Sequence, residues 1–253
     1  MIKIEELSHS IGRNQVLTDV TCQIETGGIT ALIGPNGAGK STLLNLIARQ
    51  AKRQSGRIEI DGLDLDTVSA NDFAKRLASV AQEVGVASRI RVEELMRFGR
   101  WPHAQGRLTD ADLAIVDSAL EDFDLKPLAN RFLDELSGGQ KQRAFIAMAV
   151  AQDTPWLLLD EPLNNLDTSY AKDLMKLLWN QTRGDTPKSV VIVIHEVNYA
   201  AAWADQVLAL KSGQVFAEGR AKNVIQSETL SQLYDTSIEV RQSNGALFVS
   251  HYS

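Results

Sequence analysis

The sequence predicts an α/β protein built on a mainly parallel sheet with a helical insertion, and three observations carry that prediction. First, a β-type run, Ile29–Ile33, ends in a glycine-rich loop and is followed by a helix pattern at Thr42–Ala48. That order is the strand–loop–helix half of a parallel unit. Second, Trp156–Leu159 (WLLL) and Val190–Ile194 (VVIVI) are continuous apolar runs without alternation, the pattern of strands buried on both faces of a parallel sheet. Third, from about 90 to 150 the pattern between these strands turns mostly helical.

Taken in order, residues 1–33 alternate short β-type runs (MIKIEEL, VTCQIE, ITALIG) with glycine-bearing turns. Residues 56–66 read as a short hairpin with Asp61-Gly62 at its turn. Thr109-Asp110 marks a helix start, with Asp112 in the first turn and Leu113, Val116, Leu120 and Phe123 at helical spacing. A helix pattern at Tyr170–Gln181 lies between the two buried runs. After Ile194 come a helix (Val197–Ala204), a strand (Gln206–Leu210) and a hairpin-like stretch (Gln214–Glu218). The tail predicts a helix near Lys222–Tyr234, then an alternating strand pair.

Composition bounds the function. The chain has 253 residues, 44% apolar and 23% charged, which fits a globular fold and excludes disorder or collagen as whole-chain readings. A net charge of −6 disfavours a nucleic-acid-coating role, which wants a basic surface. One cysteine, Cys22, leaves no internal disulfide and suits a reducing compartment. The opening MIKIEELSHS lacks the pattern of a signal peptide. No apolar run approaches the roughly 20 residues needed to span a bilayer.

Gly34–Thr42 reads GPNGAGKST and matches G-x-x-x-x-G-K-[ST], with Gly34, Gly39, Lys40 and Ser41 at the fixed positions. Glycines let the backbone N–H groups of Gly34, Pro35-flanked Asn36, Gly37, Ala38 and Gly39 curl around a phosphate with no Cβ in the way. The helix that follows aims its positive end at the same anion. Lys40 then bridges the terminal phosphates of a nucleotide, and the Ser41 hydroxyl ligates Mg²⁺. Asp160 and Glu161 sit at the C-terminal end of Trp156–Leu159, the end at which open α/β sheets bind ligands. Asp160 is expected to hold the Mg²⁺ through water, and Glu161 to polarise the attacking water. His195 ends the other buried run, at the same sheet edge, as a sensor of the γ-phosphate.

Residues 136–140 read LSGGQ, followed by KQRAFIAMAVAQDTPWLLLDEP. With the phosphate loop, this resembles the nucleotide-binding subunit of an ABC transporter. Ser137-Gly138-Gly139 would open a helix whose free N–H groups have no phosphate in their own chain to bind. The resemblance implies a head-to-tail dimer in which Ser137, Gly138, Gly139 and Gln140 close on the ATP of a second copy. It also implies a P-loop NTPase core, an antiparallel N-terminal β-subdomain and an inserted α-helical subdomain. The corresponding ranges are 1–90 with 153–220 for the core and β-subdomain, 91–152 for the helical part, and 221–253 for a C-terminal extension.

Further elements resemble the family in order. Gln82 looks like the glutamine that contacts Mg²⁺ and reports to the permease, Asn164–Asp167 like the loop that carries Asp167 across the dimer interface, and His195 like the switch histidine. One position departs: where the family places an aromatic residue to stack on adenine, this chain has Ile11, with His9 nearby. Stacking contributes about 1–3 kcal/mol in nucleic-acid sites, so Ile11 is expected to give only an apolar contact. GRWPH at 99–103 is similar to importers of iron–siderophore complexes, haem and cobalamin; read as structure alone, it is a bend. The implied partners are a second copy, integral membrane permease subunits docked on the helical insert and, indirectly, a substrate-binding protein, with the chain peripheral on the cytoplasmic face of the membrane. Among rival P-loop classes, a GTPase would carry N-K-x-D, which the sequence lacks, and a small-molecule kinase has no use for LSGGQ.

Overall fold

The computed structural model describes residues 1–81, 89–104, 106–164, 166–184, 186–243 and 245–250. The chain opens with two long antiparallel strands, β1 (Ile2–Ile11) and β2 (Asn14–Ile24). β3 (Gly28–Ile33), buried along its whole length, leads through the glycine-rich loop into α1 (Lys40–Ile47). β4 (Arg57–Ile60) and β5 (Leu63–Asp64) form the expected hairpin. Its turn residues Asp61 and Gly62 take φ of 51° and 79°, as the type I′ turn requires. α2 (Ala70–Ala74) and β6 (Leu77–Val80) follow. The helical stretch holds α3 (Val92–Gly99), α4 (Trp101–Ala104), α5 (Asp110–Asp122) and α6 (Gly138–Ala151). Next come β7 (Trp156–Leu159), α7 (Thr168–Gln181), β8 (Ser189–Val193), α8 (Val197–Trp203), β9 (Gln206–Lys211) and β10 (Gln214–Arg220). The tail is α9 (Ala221–Val224), α10 (Ser227–Tyr234) and a hairpin of β11 (Glu239–Ser243) and β12 (Ala246–Ser250).

The central sheet runs β10-β9-β3-β8-β7-β6, parallel except for the edge strand β10. A second, antiparallel sheet runs β2-β1-β4-β5. The space between the two sheets is filled by α1 with Ile4, Leu17, Leu32, Leu43, Trp156 and Val193. The other face of the central sheet carries Ile29, Ala31, Leu159 and Ile192, and packs against residues of α3, α5, α6, α7 and α10. β3, β7 and β8 are thus covered on both sides, the physical reason they read as unbroken apolar runs.

Three differences from the sequence expectation have local causes. β1 and β2 are longer than their apolar runs, because bulges with Glu6 and Asp19 at positive φ (48° and 50°) break the alternation. α2 and β6 were not anticipated; the signal was the cap of Ser69, whose hydroxyl accepts from Asp72 N. The tail helix expected over Lys222–Tyr234 is two helices, interrupted at Ile225 and Gln226, where Gln226 takes an extended conformation and buried Ile225 turns into the core.

The GRWPH stretch is a clamp on α6. A Cβ on Gly99 would collide with the Met148 carbonyl, so only glycine lets α3 approach this closely. Arg100, buried, donates to Asp112 Oδ1 at 2.9 Å and to the Ala151 carbonyl at 2.9 Å. His103 Nε2 lies 2.8 Å from the Gln152 carbonyl. The orphan carbonyls at the end of α6 therefore find their donors here. Asp112 also closes the capping box of α5 with Thr109. The Thr109 hydroxyl and N–H, together with Arg100, hold the Asp112 carboxyl down at about 2. A depressed carboxyl stabilises the fold above its ordinary value and loses that contribution as pH falls through the folded value. Asp112→Asn should lower the melting temperature by several degrees at neutral pH. The gap from the unaltered chain should close between pH 3.8 and about 2, measured by thermal melts across that range.

Candidate active site

Parallel pairing places β3, β8 and β7 side by side with their C-terminal ends on one edge. Gly34 follows β3 directly, Asp160 and Glu161 follow β7, and His195 follows Ile194 just beyond β8. The sheet order alone therefore gathers residues as far apart in the chain as Gly34 and His195. Gln82 lies past the end of β6 and outside the described residues.

The loop Gly34–Gly39 folds back over the edge. A Cβ on Gly34 (φ 139°) would strike the Leu210 carbonyl, and one on Gly39 (φ 96°) the Leu17 side chain. Both positions also lie in backbone regions closed to other residues. Pro35, Asn36 and Gly37 form the outer rim, Asn36 and Gly37 exposed, while Ala38 and Gly39 are buried. Ala38 N donates to the Pro35 carbonyl at 3.2 Å, and the Ala38 carbonyl accepts from Gly213. The first turn of α1 contains no acid and no side-chain cap. Its N–H groups, with Ser41 and half-buried Thr42 among them, are left to an anion.

Lys40 is 5% exposed. Its Nζ donates to the carbonyls of Gly34 at 2.8 Å and Pro35 at 2.9 Å. Burial pulls the ammonium below its ordinary value, while the charges of Glu161 and Asp160 pull it back up. Asp160, 3% exposed, accepts from the Ser41 hydroxyl at 2.8 Å. Burial pushes its carboxyl up, opposed by the Ser41 bond and assisted by the charge of Glu161. Glu161 takes φ 50°, the left-handed region a β-carbon rarely enters, at the turn leaving the strand. Its Oε1 lies 2.5 Å from His195 Nε2, and its Oε2 accepts from Asn164 Nδ2 at 2.5 Å. Asn164 is thus a third member of this group that the sequence did not single out for contact with Glu161; its only signal was a turn-forming residue three positions after an acid.

The residues of LSGGQ lie elsewhere, at the start of α6. Ser137 caps that helix: its Oγ accepts from Gln140 N, and Gln140 Oε1 accepts from Ser137 N at 3.1 Å. Ser137 and Gly138 face solvent, and a Cβ on Gly139 would press on Leu166 of the Asn164–Asp167 loop. Asp167 caps α7 by accepting from Tyr170 N at 3.0 Å. Ile11 ends β1 and is 60% exposed, whereas His9 is 8% exposed with Nδ1 buried and unpaired among the described residues. Of the two, only Ile11 offers a surface to a base.

A site of this kind can hold a polyphosphate at a helix start and place a carboxylate and an imidazole against its outer end. The sequence profile of the ABC transporter family matches residues 17–164. The chain belongs to the ABC transporter family. It is the ATP-binding, ATP-hydrolysing component of that family. The petrobactin import ATP-binding protein of Bacillus subtilis (strain 168) is 41% identical over 241 residues, 95% of each chain. A protein of the metal-chelate type of ABC transporter, in an inward-facing conformation, superposes with a TM-score of 0.82 at 26% identity, covering 98% of this chain and 95% of that one. A dimeric ATP-binding cassette in a post-hydrolysis state with ADP and Pi superposes with a TM-score of 0.78 at 27% identity, covering 87% and 99%. No helix among the described residues is long and apolar enough to cross a membrane.

The raised carboxyl of Asp160 makes a stability prediction for the ABC ATPase. A carboxyl raised on folding stabilises the fold below its ordinary value, and that contribution is lost as pH rises through the folded value. At neutral pH the buried charge therefore costs stability. Asp160→Asn, which keeps an acceptor for Ser41, should melt a few degrees higher at pH 7 without nucleotide. That advantage should shrink as the pH approaches 3.8, as followed by calorimetry.

Proposed function

We propose that two copies of this chain, docked on integral membrane permease subunits at the cytoplasmic face of the membrane, drive uptake of a metal chelate, most concretely a ferric siderophore, handed over by a substrate-binding protein. The likeness that carries the solute class is the 41% identity, along 95% of both chains, to a petrobactin import protein. The metal-chelate type structure points the same way.

In this reading Gly34, Pro35, Asn36, Gly37, Ala38 and Gly39 wrap the phosphates, and Lys40 exchanges the carbonyls of Gly34 and Pro35 for phosphate oxygens. Ser41 Oγ and Asp160 Oδ1, two hard oxygen donors 2.8 Å apart, suit Mg²⁺, which binds a few protein oxygens and completes its shell with phosphate and water. Bound there, Mg²⁺ would neutralise phosphate charge. Gln82 would add a further oxygen. Glu161 accepts the proton of the attacking water, with Asn164 fixing its second oxygen, and His195 Nε2 turns from Glu161 to the γ-phosphate. Thr42 adds an N–H at the helix start, and Ile11 gives the base an apolar contact.

The start of α6 faces solvent with no phosphate in its own chain. We assign Ser137, Gly138, Gly139 and Gln140 to the γ-phosphate of the second copy, and Asp167 to the interface between copies; the superposable dimeric cassette supports this. Reaching across would open the Ser137–Gln140 cap, so that two bonds within one chain are exchanged for bonds to the partner's nucleotide. Residues 91–152 act as the unit that receives the permease. They carry, with Ile90 at the border, an apolar groove of ≈ 500 Å³ lined by Arg97, Phe98, Trp101 and Leu108, with both aromatic side chains exposed. Residues 1–90 and 153–220 form the nucleotide-binding unit, and 221–253 extend it.

Glu161→Gln should bind ATP normally and lose about 10²- to 10⁴-fold in turnover, the range of a general base. It should also accumulate as an ATP-held dimer in size exclusion; undiminished steady-state hydrolysis would remove Glu161 from this role. Lys40→Ala should abolish hydrolysis, and a variant that still turns over would take Lys40 out of the site. Affinity-tagged chain should co-purify with an integral membrane protein. Cells lacking the chain should fail to accumulate radiolabelled ferric siderophore. Loss of haem or cobalamin uptake alone would reassign the solute, and a purely soluble complex would overturn the transport reading.

A further inference from the structure

The C-terminal extension touches the phosphate loop at one point and the helix that follows His195 at another. Tyr234, the last residue of α10, accepts a hydrogen bond at its Oη from Gly34 N at 3.2 Å. Gly34 opens the phosphate loop, and its carbonyl holds Lys40 Nζ at 2.8 Å. One residue, Gly34, thus lies between a tail hydroxyl and the site ammonium, its N–H on one and its carbonyl on the other. At the second point, Asn198 of α8, three residues after His195, grips β12 with both ends of its amide: Nδ2 donates to the Val249 carbonyl at 3.0 Å, and Oδ1 accepts from Val249 N at 2.8 Å.

The two contacts belong to one tied body. Leu230 and Leu233 of α10 are fully buried in the main core, and Ile238 and Val249 join them. Ser231 Oγ accepts from Ile238 N at 2.9 Å, and Ser227 Oγ accepts from Val240 N at 2.8 Å, so the β11–β12 hairpin is fastened to α10. Lys211 pairs with Asp235 at 2.7 Å and donates to the Gln232 carbonyl, fixing the end of α10 to β9. A phenol, rather than a second backbone group, meets Gly34. Burial raises the Tyr234 hydroxyl to about 12, opposed by the bond from Gly34, so Gly34 N–H meets a neutral phenol oxygen.

We infer that the C-terminal extension is a brace for hydrolysis, with Tyr234 positioning the phosphate loop through Gly34 and Asn198 positioning the His195 segment through the docked hairpin. This rests on the roles proposed for Lys40 and His195. The two arms act on different parts of the reaction. Tyr234 governs how well the loop is formed before nucleotide arrives, and Asn198 governs where the imidazole stands once it has.

The test uses the full chain with Tyr234→Phe, which keeps the ring, and Asn198→Ala. Tyr234→Phe should raise KM for ATP about 3- to 10-fold, the effect of one lost hydrogen bond, with kcat within about twofold of the original. Asn198→Ala should lower kcat about fivefold with KM unchanged. In hydrogen exchange, the Gly34 amide should be protected in the original chain and released in Tyr234→Phe without global loss of protection. A purely structural tail would lower the melting temperature and leave both kinetic constants alone. That result, or an unaltered Gly34 exchange rate, overturns the proposal. Sustained hydrolysis by Lys40→Ala would instead sink the site roles, because the exchange measurement does not depend on them.

Discussion

Lys40 carries a full charge into a place that water barely reaches, and much of the surrounding architecture answers to that. A buried ammonium without partners is costly, and here two carbonyls of its own loop receive it. Those carbonyls point inward only because the backbone turns sharply after β3, and that turn needs a glycine at Gly34 against the Leu210 carbonyl. The close approach in turn requires β9 to run beside β3. Net charge is therefore a poor guide to this ligand. In the proposed reading, an acidic chain binds a strongly anionic nucleotide because one lysine and a row of oriented N–H groups dominate the field over a few ångströms.

The acids occupy the opposite wall for a related reason. Asp160 and Glu161 follow a strand buried on both faces, so their backbone is rigid while their side chains reach the open edge. Asp160 is tied to the loop helix through Ser41, and Glu161 is tied across strands to His195 and along its own turn to Asn164. The three strands thus meet through side chains as well as through the sheet. The left-handed backbone of Glu161 shows the cost of turning the chain so that consecutive acids face different partners.

Most of this was legible in the sequence, because the chemistry sits at strand ends and buried parallel strands leave an unmistakable apolar run. What was not legible depends on contacts between distant segments. The bulges at Glu6 and Asp19 erase the alternation that would have shown the full length of β1 and β2. GRWPH reads as a bend; its work as a clamp appears only when α6 is brought against Gly99 and Arg100. Asn164 reads as a turn residue until Glu161 is seen to fold back towards it. The tail helix breaks at Gln226 because Ile225 is drawn into the core, a tertiary demand that overrides a continuous helical pattern. Ile11 and His9 were left as alternatives from sequence, and burial separates them.

In the proposed reading, the start of α6 serves two states. Ser137 and Gln140 satisfy each other within the chain, so the exposed helix end is stable without a ligand. Such a cap contributes about 1 kcal/mol, little enough that a multiply charged phosphate at the same helix end can displace it. In the proposed reading, the site gains its last donors when a second copy delivers them. Glu161 and His195 are likewise each other's partner in this structure, a pairing that the proposed γ-phosphate and water would replace. Both parts of the site are thus occupied by bonds within the chain, and the proposed coupling of nucleotide and partner binding runs through their exchange.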